Sequence, residues 1–145
     1  MPKRLAVALR PKHAMQVTRV SVGEKKLVYV IVAQRPLKYP WGASRIAYIG
    51  TTKKGLARVA RSAAVRADDV LALHGVREFY VRILTCAPRP NVKTWVKLER
   101  ALVLVFRQKY GALPRCNTMG EKMRARDEFD YFKRDRIENV LEALQ

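Results

Sequence analysis

The stretch Tyr48-Ile49-Gly50 closes an apolar run, and Lys53, Lys54, Arg58 and Arg61 follow within eleven residues. A second phenol, Tyr29, sits in an earlier apolar run. Phenols donate and accept hydrogen bonds, and guanidinium groups fork onto phosphate or carboxylate oxygens. Such a set can grip and polarise an anion if the fold brings its members together. Taken singly, each residue has an ordinary role. A tyrosine in a strand packs, and an arginine on a helix is solvated. The chemistry depends on whether the elements around them converge.

Those elements are legible from periodicity. Residues 1–24 read as a basic arm followed by a short strand around "MQVTRVSV". "KLVYVIVAQ" is a continuous apolar, β-branched run, as a buried strand requires. "RPLKYPWGAS" carries two prolines and a glycine and is expected to be a loop. "RIAYIG" is a second strand. A helix from Thr52 as N-cap to about His74-Gly75 follows it. "REFYVRILTC" is a third strand, "PRPN" a turn, and "VKTWVKLERALVLVFRQKYG" a long helix closed by Gly111. An amphipathic helix from Asp127 finishes the chain, with Phe129, Ile137, Val140, Leu141 and Leu144 available to pack on the body. The expected order β-β-α-β-α-α makes a small antiparallel three-stranded sheet flanked by helices, an α+β domain.

Two geometric expectations follow. A hairpin centred near residue 39.5 sets Tyr29 and Tyr48 nearly opposite one another at its open end, beside the start of the first helix. On the long helix, at about 100° per residue with Trp95 at zero, Glu99 falls at roughly 40°, inside the apolar arc with Leu102 and Phe106. A carboxylate there costs several kcal/mol unless it is paired or binds a cation. An arginine partner and a metal ion are both open at this point. Trp95 reads as core, and Trp41 either covers the hairpin or contacts a ligand.

Composition narrows the partner. The 145 residues carry 30 Lys+Arg against 12 Asp+Glu, a net charge of +18. Residues 1–120 hold 24 basic and 5 acidic side chains, and residues 121–145 hold 6 and 7. A positive body points to a polyanion, most economically nucleic acid. No basic amphipathic helix with an aromatic face argues for a membrane surface. The apolar runs are too short to span a bilayer, and no signal-peptide pattern opens the chain, so a cytoplasmic protein is expected. Cys86 and Cys116 are too few for a disulfide framework or a metal cluster and are expected as buried free thiols.

The ordered set "LVY" at 27–29, "YIG" at 48–50, Arg58, Glu99 and Asn117 in "YGALPRCN" resembles the GIY-YIG nuclease family over roughly residues 25–120. The resemblance implies a metal-dependent endonuclease that hydrolyses phosphodiester bonds in DNA. It implies one divalent cation, Mg²⁺ or another such as Mn²⁺, held by Glu99 and substrate oxygens. Tyr29 would be the general base, with Lys53, Lys54 and Arg58 favouring its phenolate. Tyr48 would orient water or phosphate, Arg58 would clamp the scissile phosphate, and Asn117 would brace the glutamate or the loop. Lys53, Lys54, Arg58 and Arg61 would contact nucleic acid.

The chain departs from the family pattern at three places. Leu27 stands where the first motif has glycine, the loop between the motifs is longer, and Ser62 stands where many members carry histidine or tyrosine. These departures keep a second class in play, a non-catalytic basic nucleic-acid-binding protein on the same frame. A small ribonucleoprotein component is a third. Target specificity is not encoded in any visible reading module, which leaves room for a protein partner. Monomer and homodimer are both compatible with the terminal helix.

Overall fold

The computed structural model describes residues 3–19 and 23–145. Its elements are β1 (Leu27–Tyr39), β2 (Gly42–Thr52), α1 (Leu56–Leu71), β3 (Phe79–Leu84), α2 (Thr94–Tyr110), α3 (Glu128–Tyr131) and α4 (Arg134–Ala143). The antiparallel sheet has the order β2-β1-β3, so the fold is α+β as expected. The central place of β1 explains its unbroken apolar run, because its first seven residues are buried on both faces. Leu27 and Tyr29 pack with Val59 of α1. Val28 and Val30, which alternate with them, join Leu98, Ala101, Leu102 and Phe106 of α2 in the main core. No helix among the described residues is long and apolar enough to cross a membrane.

Four expectations are corrected. "RPLKYPWGAS" is not a loop: β1 runs to Tyr39 and β2 starts at Gly42, so only Pro40 and Trp41 form the turn. Leu37 and Tyr39 are buried, and the Tyr39 hydroxyl donates to the Ile46 carbonyl at 2.6 Å, which anchors this distal half of the hairpin. Pro36 has no N–H to give the ladder, and the register slips between Val32 and Leu37, where the proline lies. Thr52 belongs to β2 and accepts the Lys54 amide at 3.0 Å. Helix α1 begins after Gly55, whose φ of 79° breaks the chain direction and whose amide donates to the Lys25 carbonyl. The terminal helix splits at the extended Phe132 into α3 and α4, and α4 buries Ile137 and Leu141, with Leu144 just beyond it, against the body.

The fourth correction concerns the arm. Residues 15–19 form no strand, and residues 20–22 of the expected strand lie outside the described residues. Residues 3–19 lie exposed, with Leu5, Val7 and Leu9 at least 90% accessible. The ending of α2 is as expected: Gly111 takes φ 77° and its amide donates to the Arg107 carbonyl at 2.9 Å.

Candidate active site

The hairpin register pairs Tyr29 with Gly50 and Ile31 with Tyr48. The two tyrosines are therefore diagonal neighbours on one face rather than directly opposite. Their ring centroids stand 5.8 Å apart, tilted by 41°. Gly50 makes the approach possible. A Cβ at that position would stand 2.6 Å from the Tyr48 ring and 2.8 Å from the Tyr29 ring. The glycine of the Tyr-Ile-Gly triplet is thus a steric vacancy filled by two phenols. Leu27 is fully buried against Val59, so the side chain at the degenerate first-motif position serves packing.

Helix α1 supplies the partners. The Tyr29 hydroxyl and the Ser62 hydroxyl are hydrogen-bonded at 2.6 Å. The Arg66 guanidinium carbon lies 3.8 Å from the centroid of the Tyr48 ring. Burial pushes the Tyr48 phenol up to about 12, helped by the neighbouring Tyr29 and opposed by Arg66, with a further raising contribution from the Glu99 charge. Tyr48 is a neutral phenol at physiological pH, able to donate a hydrogen bond.

Glu99 is half-buried on α2, and burial lifts its carboxyl to about 7, with the Arg100 charge pulling the other way. Among the described residues it has no ion pair and no side-chain hydrogen bond. The arginine-paired buried carboxylate is Glu128 instead, 1% exposed, with Arg100 Nε 2.5 Å from its Oε1 and the Arg126 amide donating to its Oε2 at 2.6 Å. Burial alone would raise the Glu128 carboxyl. The Arg100 and amide hydrogen bonds outweigh it and hold the group below its ordinary value. Arg100 therefore pairs with Glu128 and acts on Glu99 only as a nearby charge.

Asn117 braces the loop rather than the glutamate. Its Oδ1 accepts the Ile49 amide and its Nδ2 donates to the Ile49 carbonyl, both at 3.0 Å. The Cys116 amide adds a bond to the Ala47 carbonyl at 2.8 Å. The 116–117 segment thus closes the outer edge of β2 beside Tyr48. Cys86 and Cys116 are free and half-buried rather than fully buried, and burial, then the nearby Asp69, raises the Cys116 thiol against the pull of Arg66 and Arg115. It is a thiol and not a thiolate nucleophile.

The structure brings together Tyr29 and Tyr48, puts Glu99 within electrostatic reach of Tyr48, and fixes β2 through Asn117. Arg58, Arg61, Lys53 and Lys54 are exposed, and the Arg58 side chain makes no contact with either phenol that amounts to a hydrogen bond or ion pair. Among the described residues no three His, Cys, Asp or Glu side chains cluster as metal ligands. A half-buried carboxylate without a cationic partner nevertheless suits a hard divalent ion that keeps most of its waters and takes one protein oxygen. Trp95, expected as core, is only half-buried, and the Lys26 ammonium lies 4.6 Å from its ring centroid.

Sequence reasoning missed Arg66, although the helical period that singles out Glu99 on α2 also singles out this residue on α1. Arg66 follows Val59 by seven residues, two helical turns, and precedes Val70 by four, so it shares their face of the helix. Val59 and Val70 are buried, which puts Arg66 in the inward arc beside Ser62. Arg58, one residue before Val59, stands on the flank of that arc. Two surface hollows lie apart from the phenols. One of about 440 Å³ is lined by Trp41, Arg107, Phe129 and Arg134, the other of about 500 Å³ by Lys93, Lys97, Arg100 and Tyr131. Of the two phenols, Tyr29 is buried and Tyr48 half-buried. Comparison with family models, with curated proteins and with solved structures gives no significant match.

Proposed function

We propose that this chain is a GIY-YIG-type endonuclease that hydrolyses phosphodiester bonds in nucleic acid, with DNA as the first candidate substrate. The observation that carries the reading is the Tyr29–Tyr48 pair, held over Gly50 and engaged by Ser62 and Arg66 of a basic helix, with the unpaired Glu99 acting on it. Glu99 would hold a Mg²⁺ or Mn²⁺ ion, which when bound supplies neutralisation of charge developing on the phosphate oxygens. Tyr48, protonated at neutral pH, donates a hydrogen bond to a phosphate oxygen or positions the attacking water. Tyr29 would be the general base toward that water, its oxygen held by the hydrogen bond to Ser62. Arg58 reaches the phosphate from the flank of α1 once the backbone is seated. Lys53, Lys54 and Arg61 extend the basic track.

One observation favours a second reading, a basic nucleic-acid-binding protein without catalysis. The partner of Tyr29 is the neutral hydroxyl of Ser62, which has no proton affinity to offer at neutral pH. A plasmid-relaxation assay with and without about 10 mM Mg²⁺ separates the two, with wild type, Glu99→Ala and Tyr29→Phe side by side. Metal-dependent nicking by wild type that both variants lose supports the nuclease. Tight DNA binding with intact supercoils, repeated on branched DNA and on RNA, leaves the binding protein.

A further inference from the structure

We propose that Arg66 is a second phosphate-binding guanidinium of the tyrosine site, using the Tyr48 ring as its platform to reach the same backbone as Arg58. The inference rests on the nucleic-acid reading above and goes beyond it in naming a residue that the motif does not contain. Three observations carry it. Arg66 occupies the inward arc of α1 and is half-buried, so the fold holds its charge at the site rather than leaving it in bulk water. Its guanidinium carbon lies 3.8 Å from the centroid of the Tyr48 ring, a cation–π approach that spends none of its five N–H donors on an acceptor oxygen. Among the described residues those donors have no acceptor: Arg66 makes no hydrogen bond and no ion pair, although Asp68 and Asp69 follow within one turn.

Comparison with the other arginines of the body sharpens the point. Arg100, Arg107 and Arg115, each at the surface of the core, spend their donors on Glu128 and on backbone carbonyls. Arg66 alone among these four has no acceptor for its donors. An orphan fork beside two phenols and a basic helix matches a phosphodiester, which offers two non-bridging oxygens and one negative charge. Arg58 and Arg66 are eight residues apart on α1, about 12 Å along the axis. At that spacing they would engage two separate phosphates of one backbone.

The test is metal-free, so it does not depend on cleavage. Binding of a labelled 20-base-pair DNA duplex, and of an RNA duplex of the same sequence, is followed by anisotropy over about 50–200 mM salt. Wild type, Arg66→Gln, Arg66→Lys and Arg136→Gln are compared, the last being an exposed arginine of α4 remote from the phenols. Loss of one phosphate contact lowers the salt slope by about 0.9 and the affinity at 0.1 M by roughly tenfold. Those changes are expected for Arg66→Gln, with Arg66→Lys keeping the slope and Arg136→Gln resembling wild type. An Arg66→Gln protein with native near-UV dichroism and an unchanged slope overturns the inference, and so does an equal effect from Arg136→Gln. Wild type that binds neither duplex sinks both this inference and the nucleic-acid reading. A lowered slope with no metal-dependent cleavage by wild type keeps Arg66 and discards the nuclease.

Discussion

Glu99→Gln should stabilise the protein at pH 8 and leave it nearly unchanged at pH 4. The wild-type carboxyl rises from its ordinary 4.5 to about 7 on folding, chiefly through burial. Between those values the native state binds more protons than the unfolded chain, so stability falls as pH rises through the window. At about 1.4 kcal/mol per pH unit, the full loss above pH 7 is about 3 kcal/mol. Partial exposure and solvent screening bring the expected gain for glutamine to about 2 kcal/mol. Urea titrations at pH 4 and pH 8, on both proteins, read this directly as a shift in midpoint. Mg²⁺ supplies the second arm. An ion bound at about ten times its dissociation constant stabilises the wild type by about 1.4 kcal/mol at pH 8 and does nothing for the variant. Equal gains at both pH values would show that the carboxylate carries no folding penalty and refute the reasoning. A glutamine protein that answers to Mg²⁺ as wild type does would remove Glu99 as the ligand.

Gly50→Ala places a methyl 2.6 Å from the Tyr48 ring, so it should cost about 1–3 kcal/mol in denaturant titrations and abolish the near-UV signature of the tyrosine pair. Asn117→Ala removes both bonds to the Ile49 backbone and should destabilise by about 1–3 kcal/mol, with amide exchange accelerated first at residues 47–49 of β2. Arg100→Met leaves Glu128 buried and unpaired and should cost about 3–5 kcal/mol at pH 7, whereas adding Glu128→Leu should restore most of it, as thermal melts of the single and double variants would record. The Glu128 carboxyl is depressed on folding, so the Arg100 pair contributes above the unfolded value of 4.5 and fades as pH falls below it, which makes the Arg100→Met deficit smaller in acid.

The parts of the fold governed by periodicity are readable from the sequence. β1 announces itself by unbroken burial, α2 by its apolar arc and the glycine stop at Gly111. The distal hairpin is not readable, because two prolines and a glycine in "RPLKYPWGAS" look like punctuation. The burial of Leu37 and Tyr39 and the slip around Pro36 override that local signal. The break at Phe132 has no marker of its own. At the site, spacing alone finds the two phenols, since the expected hairpin centre of 39.5 agrees with the observed Tyr29–Gly50 pairing. It puts the rings opposite rather than diagonal because a two-residue offset is small on a sequence scale and decisive on a sheet. Glu99 is legible through its place on the helical period. Which carboxylate captures Arg100 is not, because Glu128 lies 28 residues further on and its capture depends on how α3 folds back over α2.

Arg66 and Glu99 bear on the functional question together. Each is a half-buried charge on an inward helical arc, each lacks a protein partner among the described residues, and each acts on Tyr48. A fold selected only for stability would pair them with each other or replace them by apolar residues. They stand on two different helices, α1 and α2. Under the proposed reading an anion would sit beside Arg66 and a cation beside Glu99, the charge pattern of a phosphodiester accompanied by its metal ion. A simple nucleic-acid-binding surface explains the basic residues of α1 but gives no reason of its own for an unpaired, half-buried carboxyl within electrostatic reach of Tyr48. The proposed catalytic reading therefore rests on Glu99 more than on the excess of positive charge, and the Mg²⁺ response of Glu99→Gln decides between it and mere binding.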